Sequence, residues 1–171
     1  MRKIIVLSGG PGTGKTSVIN ELAKEFRILP EAAREISNGP RFRGKSIKEL
    51  DQVAFQEAIF QLQKRQLESA PENEIIFSDR GIGDAIAYGK IHGIGAPRGA
   101  LEFARNFRYF KVFILDPLKT YEQDSLRMEN REESLKIHRA IEYAYQELKY
   151  ETITVPVASI KARADFIKDR V

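Results

Sequence analysis

Residues 7–17 read LSGGPGTGKTS. Within them Gly9, Gly10, Pro11, Gly12, Thr13, Gly14, Lys15 and Thr16 match the pattern G-x-x-x-x-G-K-[ST] in full, and Ser17 follows. Glycine reaches backbone angles closed to other residues and leaves no side chain in the way, so such a loop can wrap a phosphate. Successive N–H groups then form an anion nest, and a helix starting near Lys15 adds the positive end of its dipole. Lys15 supplies a mobile cation for the outer phosphates, and the Thr16 hydroxyl suits Mg2+. The competing reading is a glycine-rich turn without a ligand. A full match between an apolar run and a helical pattern favours nucleotide binding.

Three further stretches carry candidate chemistry. In EIIFSDRGIGDAIAYGK, 74–90, an apolar run ends in Asp79-Arg80 and a helix follows. A carboxylate there can hold a water of a Mg2+ shell, and Arg80 can reach a phosphate. The plainer reading makes Asp79 a helix cap and Arg80 a surface residue; the phosphate loop at the same sheet edge favours the first. In ILPEAAREI, 28–36, Glu31 follows a second apolar run. It is either a reactive carboxylate or an acidic residue in a helix's first turn, favourable by dipole alone. Arg34 is a phosphate or substrate contact, or simply exposed. In DSLRMENREE, 124–133, Arg127 and Arg131 stand at i, i+4 and share one helical face. Taken alone, that segment is a charged helix pairing Arg127 with Glu122, Glu132 or Glu133.

Strands and helices must place these residues. Apolar runs rich in Ile, Val and Phe predict strands at 3–7, 26–29, 74–78, 109–115 and 150–155. Between them, 15–26 has Val18, Ile19, Leu22, Ala23 and Phe26 on one face. The segment 46–69 opens on a Ser46–Glu49 capping box and carries Leu50, Val53, Ile59, Leu62 and Leu67. Ile137, Ile141, Ala144 and Leu148 make a stripe in 131–149, and a last helix starts at Ser159 with Ile160, Ala164 and Ile167 inward. Alternating strand and helix predicts a parallel sheet covered on both faces, with ligands at the carboxyl ends of its strands.

The bulk numbers fit one compact nucleotide-binding domain over 1–171: 171 residues, 42% hydrophobic. There is no cysteine, so disulfides and thiolate metal sites are excluded, and two histidines, His92 and His138, make a structural zinc site improbable. No apolar stretch approaches the ~20 residues of a membrane span. The basic-then-apolar start MRKIIVLSGG leads into glycines, not a cleavage site, so it reads as a first strand and the expected location is cytoplasmic. A net charge of +4 suits an acidic small molecule as well as nucleic acid and by itself decides nothing, though so weak a field does not favour a polynucleotide enzyme. Oligomeric state has no signature in the sequence.

SDRGIGDAIAY, 78–88, resembles the Asp-Arg-x-x-x-Ser-x-x-Ala-Tyr segment of thymidylate kinases, to which the Glu-Arg-Ser of the deoxynucleoside kinase group is related. Asp84 stands where that pattern has Ser, and Gly89 where it usually has Gln, which argues against thymidylate itself. The whole chain resembles a small family of P-loop proteins classed as AAA-type ATPases and similar to the kinase domain of nicotinamide riboside kinases. SGGPGTGKTS, LPEAAREI, SDRGIGDAIAY, LDPLKTYEQDSLRMENREE and VPVASIKARADFI carry that resemblance. The run 74–78 ends in Asp-Arg, not the Asp-Glu of such ATPases, which favours a kinase.

The resemblance implies a three-layer α/β/α P-loop NTPase fold with a five-stranded parallel sheet and a short helical lid. It implies ATP and Mg2+ as cofactors and a small-molecule acceptor: a nucleoside, nucleotide or similar metabolite. Glu31 becomes the base that takes the acceptor's proton. Segment 124–133 becomes the lid, with Arg127 or Arg131 as an arginine finger in cis. Lys15 and Arg80 stabilise charge on the phosphoryl group, while Thr16 and Asp79 organise the metal. Phe55, Gln56, Phe60 and Gln63 fall on the helix that walls the acceptor pocket in similar kinases, with core packing the plainer reading for both aromatics. GPRFRGKSIK is read as a solvated loop, and PVAS, 156–159, falls where adenine sits in this fold. Two alternatives stand beside the kinase: an NTPase switch and, third, a polynucleotide 5′-end kinase. A pocket behind Glu31 lined by Phe55 and Gln56 favours the small-molecule kinase. A closed acceptor side favours the switch, and a flat basic groove the polynucleotide enzyme.

Overall fold

The computed structural model describes residues 2–45, 49–118 and 125–171, the side chains of 125–130 excepted. The elements run β1 (Lys3–Ser8), α1 (Lys15–Leu22), β2 (Arg27–Leu29), α2 (Ala32–Asn38), α3 (Gln52–Ser69), β3 (Ile75–Asp79), α4 (Ile82–Ile91), α5 (Ala100–Asn106), β4 (Lys111–Leu115), α6 (Ser125–Glu147), β5 (Thr152–Val155) and α7 (Ile160–Lys168). The five strands form one sheet in the order β2-β3-β1-β4-β5, every pair parallel. The carboxyl ends of β1, β2 and β3 therefore lie side by side, which brings the phosphate loop, Glu31 and Asp79-Arg80 to one edge.

The period of two along a strand sorts the core into two layers. Ile4, Val6, Ile76, Val112 and Ile114 face α3, α4, α5 and α6. Ile5, Leu7, Phe77, Phe113 and Leu115 face α1 and α7. Both faces of the central strands are covered, which is why those runs are apolar throughout.

Several sequence expectations shift. The strand expected at 109–115 starts at Lys111, because Tyr109 belongs to the helical layer. The helix expected at 15–26 ends at Leu22 and leaves Ala23 exposed, while Phe26 still packs edge-on against Phe77. Ile160 is 49% exposed, so the last helix buries Arg163, Ala164 and Ile167 instead. α3 starts at Gln52 with the Asp51 side chain accepting from the Ala54 N–H; Ser46, half of the expected capping box, lies outside the described residues. Its inward stripe is Gln56, Ile59, Phe60, Gln63 and Leu67, and Val53 is 55% exposed. The expected lid segment and the helix after it are one element, α6.

Candidate active site

The phosphate loop is held by groups from far along the chain. Gly12 and Gly14 have φ of 74° and 72°, the left-handed region that favours glycine, and Gly14 caps α1. At Gly10 the reason for glycine is space: a Cβ there would lie 2.8 Å from the Ser134 carbonyl oxygen and 2.9 Å from His138 Cβ. The Gly10 N–H donates to His138 Nδ1 at 3.2 Å. Thr13 Oγ1 donates to the Gly10 carbonyl at 3.1 Å, closing the loop on itself. From α7, the buried Arg163 donates to the carbonyls of Thr13 at 2.6 Å and Asp116 at 3.1 Å. Pro11, Thr16 and Ser17 are exposed, so the hydroxyls stand toward solvent at the start of α1.

Lys15 is 7% exposed and its ammonium pairs with Asp79 Oδ1. Burial pushes the Asp79 carboxyl above its usual range against the pull of Lys15, and Glu31 adds to the push. Arg80 has φ of 72°, rare for a residue with a side chain and a mark of local strain. That turn is pinned by its own N–H to the Leu7 carbonyl at 3.0 Å and by Ser78 Oγ to the Arg80 carbonyl at 2.7 Å. It sends the guanidinium to Glu31, Nε to Oε1 at 2.7 Å, and to Asp84, Nη1 to Oδ1 at 3.0 Å. Burial opposes the charge on Arg80; Asp84, Tyr88 and Glu31 outweigh it and raise the pKa. Glu31 sits at the N-cap of α2, not in its first turn. Burial works to raise its pKa, but Arg80, then Lys15 and Arg34, hold it below the usual range, so it stands as a carboxylate at neutral pH.

Asp84 is the hub of this network. Besides Arg80 it accepts from Ser8 Oγ at 2.7 Å, the Gly81 N–H at 3.0 Å and the Tyr145 hydroxyl at 2.7 Å. Burial, with Asp84 beside it, raises Tyr145 well above the usual phenol, so the hydroxyl stays a donor. The other departure from the thymidylate-kinase pattern also has a local cause. A Cβ at Gly89 would lie 1.9 Å from the Gly95 carbonyl oxygen, so the loop after α4 closes directly on bare backbone.

Two cavities meet at this edge. One, about 430 Å³, is lined by Thr16, Asn20, Pro30, Glu31, Arg34 and Asp79. The other, about 320 Å³ and mostly apolar, lies between α2, α3, α4 and α6; Glu31, Arg80, Phe55, Gln56, Gln63 and Tyr88 are among its walls. Phe60 is core, whereas Phe55 lines the cavity and packs edge-on against Phe42 at 5.2 Å between ring centres. Arg41, Arg43 and Lys45 of the basic loop are exposed around the buried Phe42. Among the described residues no three His, Asp or Glu side chains gather as a metal-binding group. A hydroxyl and one carboxylate that complete the shell with phosphate oxygens and water are what Mg2+ takes, and Thr16 and Asp79 on one cavity fit it. Arg131 is half-buried and makes no ion pair among the described residues; the Arg127 side chain lies outside them. Sequence reasoning missed Ser8, Asp84 as a hub, His138, Tyr145 and Arg163.

A parallel sheet in the order β2-β3-β1-β4-β5, with the glycine loop at the end of its central strand, defines a P-loop kinase-like NTPase. The chain belongs to the AAA domain family, whose model matches residues 4–163. No curated protein matches it in sequence. Among solved structures, the NadR protein in complex with NR aligns with a TM-score of 0.67 at 18% identity, over 98% of this chain and 49% of that one. The chain thus spans about half the length of NadR. Deoxyadenosine kinase from M. mycoides with bound dATP aligns at 0.67 and 17% identity over 98% of both chains. Thymidylate kinase from Ehrlichia chaffeensis aligns at 0.62 and 14% identity over 99% of both. No described helix is long and apolar enough to cross a membrane.

Proposed function

We propose that this protein is an ATP- and Mg2+-dependent kinase that phosphorylates a hydroxyl of a nucleoside, nucleotide or similar small metabolite. One observation carries the reading: Glu31 lines both cavities, so one carboxylate stands between the side of Thr16 and Asp79 and a mostly apolar cavity behind it. An acceptor in the second cavity can bring its hydroxyl to Glu31, which is ionised against Arg80 and can take the proton. Lys15 and Arg80 offer positive charge at the junction, and the loop N–H groups orient the phosphates. Mg2+, held through Thr16 and Asp79, would neutralise charge on the phosphate oxygens. Kinase neighbours at 14–18% identity support the fold's suitability. Phe55 and Gln56 in the wall behind Glu31 favour the small-molecule kinase over the NTPase switch.

The charge of the acceptor cavity narrows the class. Among its described lining residues Glu31, Asp84 and Glu133 stand against Arg80, which is already paired, and the imidazole of His92. That favours an acceptor with no phosphate of its own. The test is a panel of nucleosides, nucleotides and vitamin precursors incubated with ATP and Mg2+, with product detected by mass, repeated with Glu31→Gln. Transfer should fall at least ~10²-fold in the variant while background ATP hydrolysis persists. Equal loss of hydrolysis and transfer would make Glu31 a water-positioning group and the protein an NTPase switch.

A further inference from the structure

We infer that Gln63 is the specificity residue of the acceptor cavity, and that it hydrogen-bonds an amide-like edge of the acceptor: an N–H donor beside an acceptor atom, as in a carboxamide or an amino-substituted heterocycle. Calling the ligand an acceptor rests on the kinase reading; the pairing of Gln63 with such an edge does not.

The inward stripe of α3 is Gln56, Ile59, Phe60, Gln63 and Leu67. A helix facing an apolar layer would ordinarily carry Leu or Ile at the first and fourth of these positions as well. Gln63 is instead a glutamine, 4% exposed, and its Oε1 is enclosed with no hydrogen-bond partner. Native interiors rarely leave a buried polar atom in that state, and each case asks for a cause. Gln63 also lines the 320 Å³ cavity, beside Ile59, Ala85 and Ile137. Of the glutamines in the wall, Gln63 is the one whose amide oxygen is enclosed and unpartnered; at the Glu31 end Arg80 is committed to Glu31 and Asp84, and Asp84 to Ser8, Gly81 and Tyr145 as well. Gln63 is not, and the torsion that turns its terminal amide is soft. A ligand N–H entering the cavity can draw the oxygen round and complete it, while the amide N–H2 meets an acceptor atom on the same edge.

The geometry sets the ligand's size. Gln56 and Gln63 both line the cavity and stand seven positions apart, about 10 Å along α3. That length suits a planar heterocycle joined to a sugar. Aromatic walls at Phe55 and Tyr88 suit a flat ring.

The experiment uses matched pairs: an aminopurine riboside against purine riboside, and a pyridine carboxamide riboside against pyridine riboside. Binding is read by calorimetry without ATP, and transfer with ATP and Mg2+, for the wild type, Gln63→Leu and the unbranched Gln63→Met. A site built to pair a polar edge rejects the analogue that lacks it by orders of magnitude. The wild type should therefore prefer the substituted member of at least one pair by ~10²-fold or more, and in both variants that ratio should collapse towards unity. Thermal unfolding of the variants should not drop, since an unpartnered buried atom has been removed. A ratio that survives in Gln63→Leu and Gln63→Met, or a wild type that binds both members of each pair alike or neither, overturns the inference. Gln63-dependent binding without any transfer would keep it and remove the kinase reading. Transfer to both members alike would do the reverse.

Discussion

The two sides of this site share an edge of the sheet but are built in different ways. The phosphate side is a contiguous run, Gly9 to Thr16, whose working groups are mainly backbone N–H. Its supports come from α6 and α7, through His138 and Arg163. The acceptor side has no contiguous motif. Glu31, Gln63, Glu133 and the Arg80–Asp84 pair come from four places in the chain, and one carboxylate, Asp84, orders the Glu31 end through Arg80. A backbone cradle tolerates variation in its supports, because each brace contributes one hydrogen bond. A side-chain hub does not, because one substitution disorders several partners at once. The difference makes separate predictions for the two sides.

The largest effect should come from the buried cation of the phosphate side. Lys15 is the cradle's cation and the partner of the buried Asp79. Lys15→Met should cut phosphoryl transfer by about 10³-fold, the loss typical of a preorganised charge-stabilising donor. It also strands a buried carboxylate, so unfolding in urea should show a loss of about 3 kcal/mol. Adding Asp79→Asn should restore much of that stability and none of the turnover. Recovery of both together would mean that the pair is structural and that Lys15 does not touch phosphate.

The hub comes next. Asp84→Asn replaces an acceptor of four hydrogen bonds by a group that must turn two donor hydrogens towards donors, and it removes a charge facing Arg80. Stability should fall by about 2–3 kcal/mol, more than for Tyr145→Phe, which deletes one bond to the same carboxylate. Acceptor transfer should fall further than ATP affinity, since Arg80 and Glu31 lose their anchor while the loop keeps its own. Matching losses in Asp84→Asn and Tyr145→Phe would show that Asp84 is one polar contact among others.

The same difference explains what could be read beforehand. The phosphate loop, Asp79 and the central strands were legible because their signals are local: a fixed spacing, or an unbroken apolar run. Asp84 drew notice only as a departure from a pattern, since Ser8 and Tyr145 lie 76 and 61 residues away in sequence. The register of α3 was misplaced because periodicity counts apolar residues, and its buried stripe includes Gln56 and Gln63 while Val53 faces out. α5, ALEFARN, is too short to show a period. The break between a lid and the helix expected at 131–149 came from the polar run 124–133, whose described part, 125–133, α6 carries without interruption.

The smallest effect tests the claim that the cradle's braces are single bonds. His138 Nδ1 accepts the Gly10 N–H, so the imidazole must be neutral there. Burial lowers its pKa from the ordinary 6.5; Glu142 on the same helix and Asp116 after β4 pull it up, and Arg139 pushes it down. A histidine with a folded pKa below its unfolded one binds fewer protons when folded. Stability from this group is therefore complete above the unfolded value. It is lost as pH falls through 6.5 towards the folded pKa, and is constant below that. His138→Asn offers an amide oxygen in place of Nδ1 and does not titrate. Chemical unfolding of the two proteins should show a gap that narrows, or reverses, by up to about 1 kcal/mol as pH drops below 6.5. His92, present in both, cancels from the comparison. ATP affinity should follow the same window, weakening in acid for the wild type and not for the variant, because protonation turns a donor towards Gly10 and loosens one strut of the loop. A gap that stays flat across the window would show that Gly10 is held by its packing against α6 and not by the imidazole.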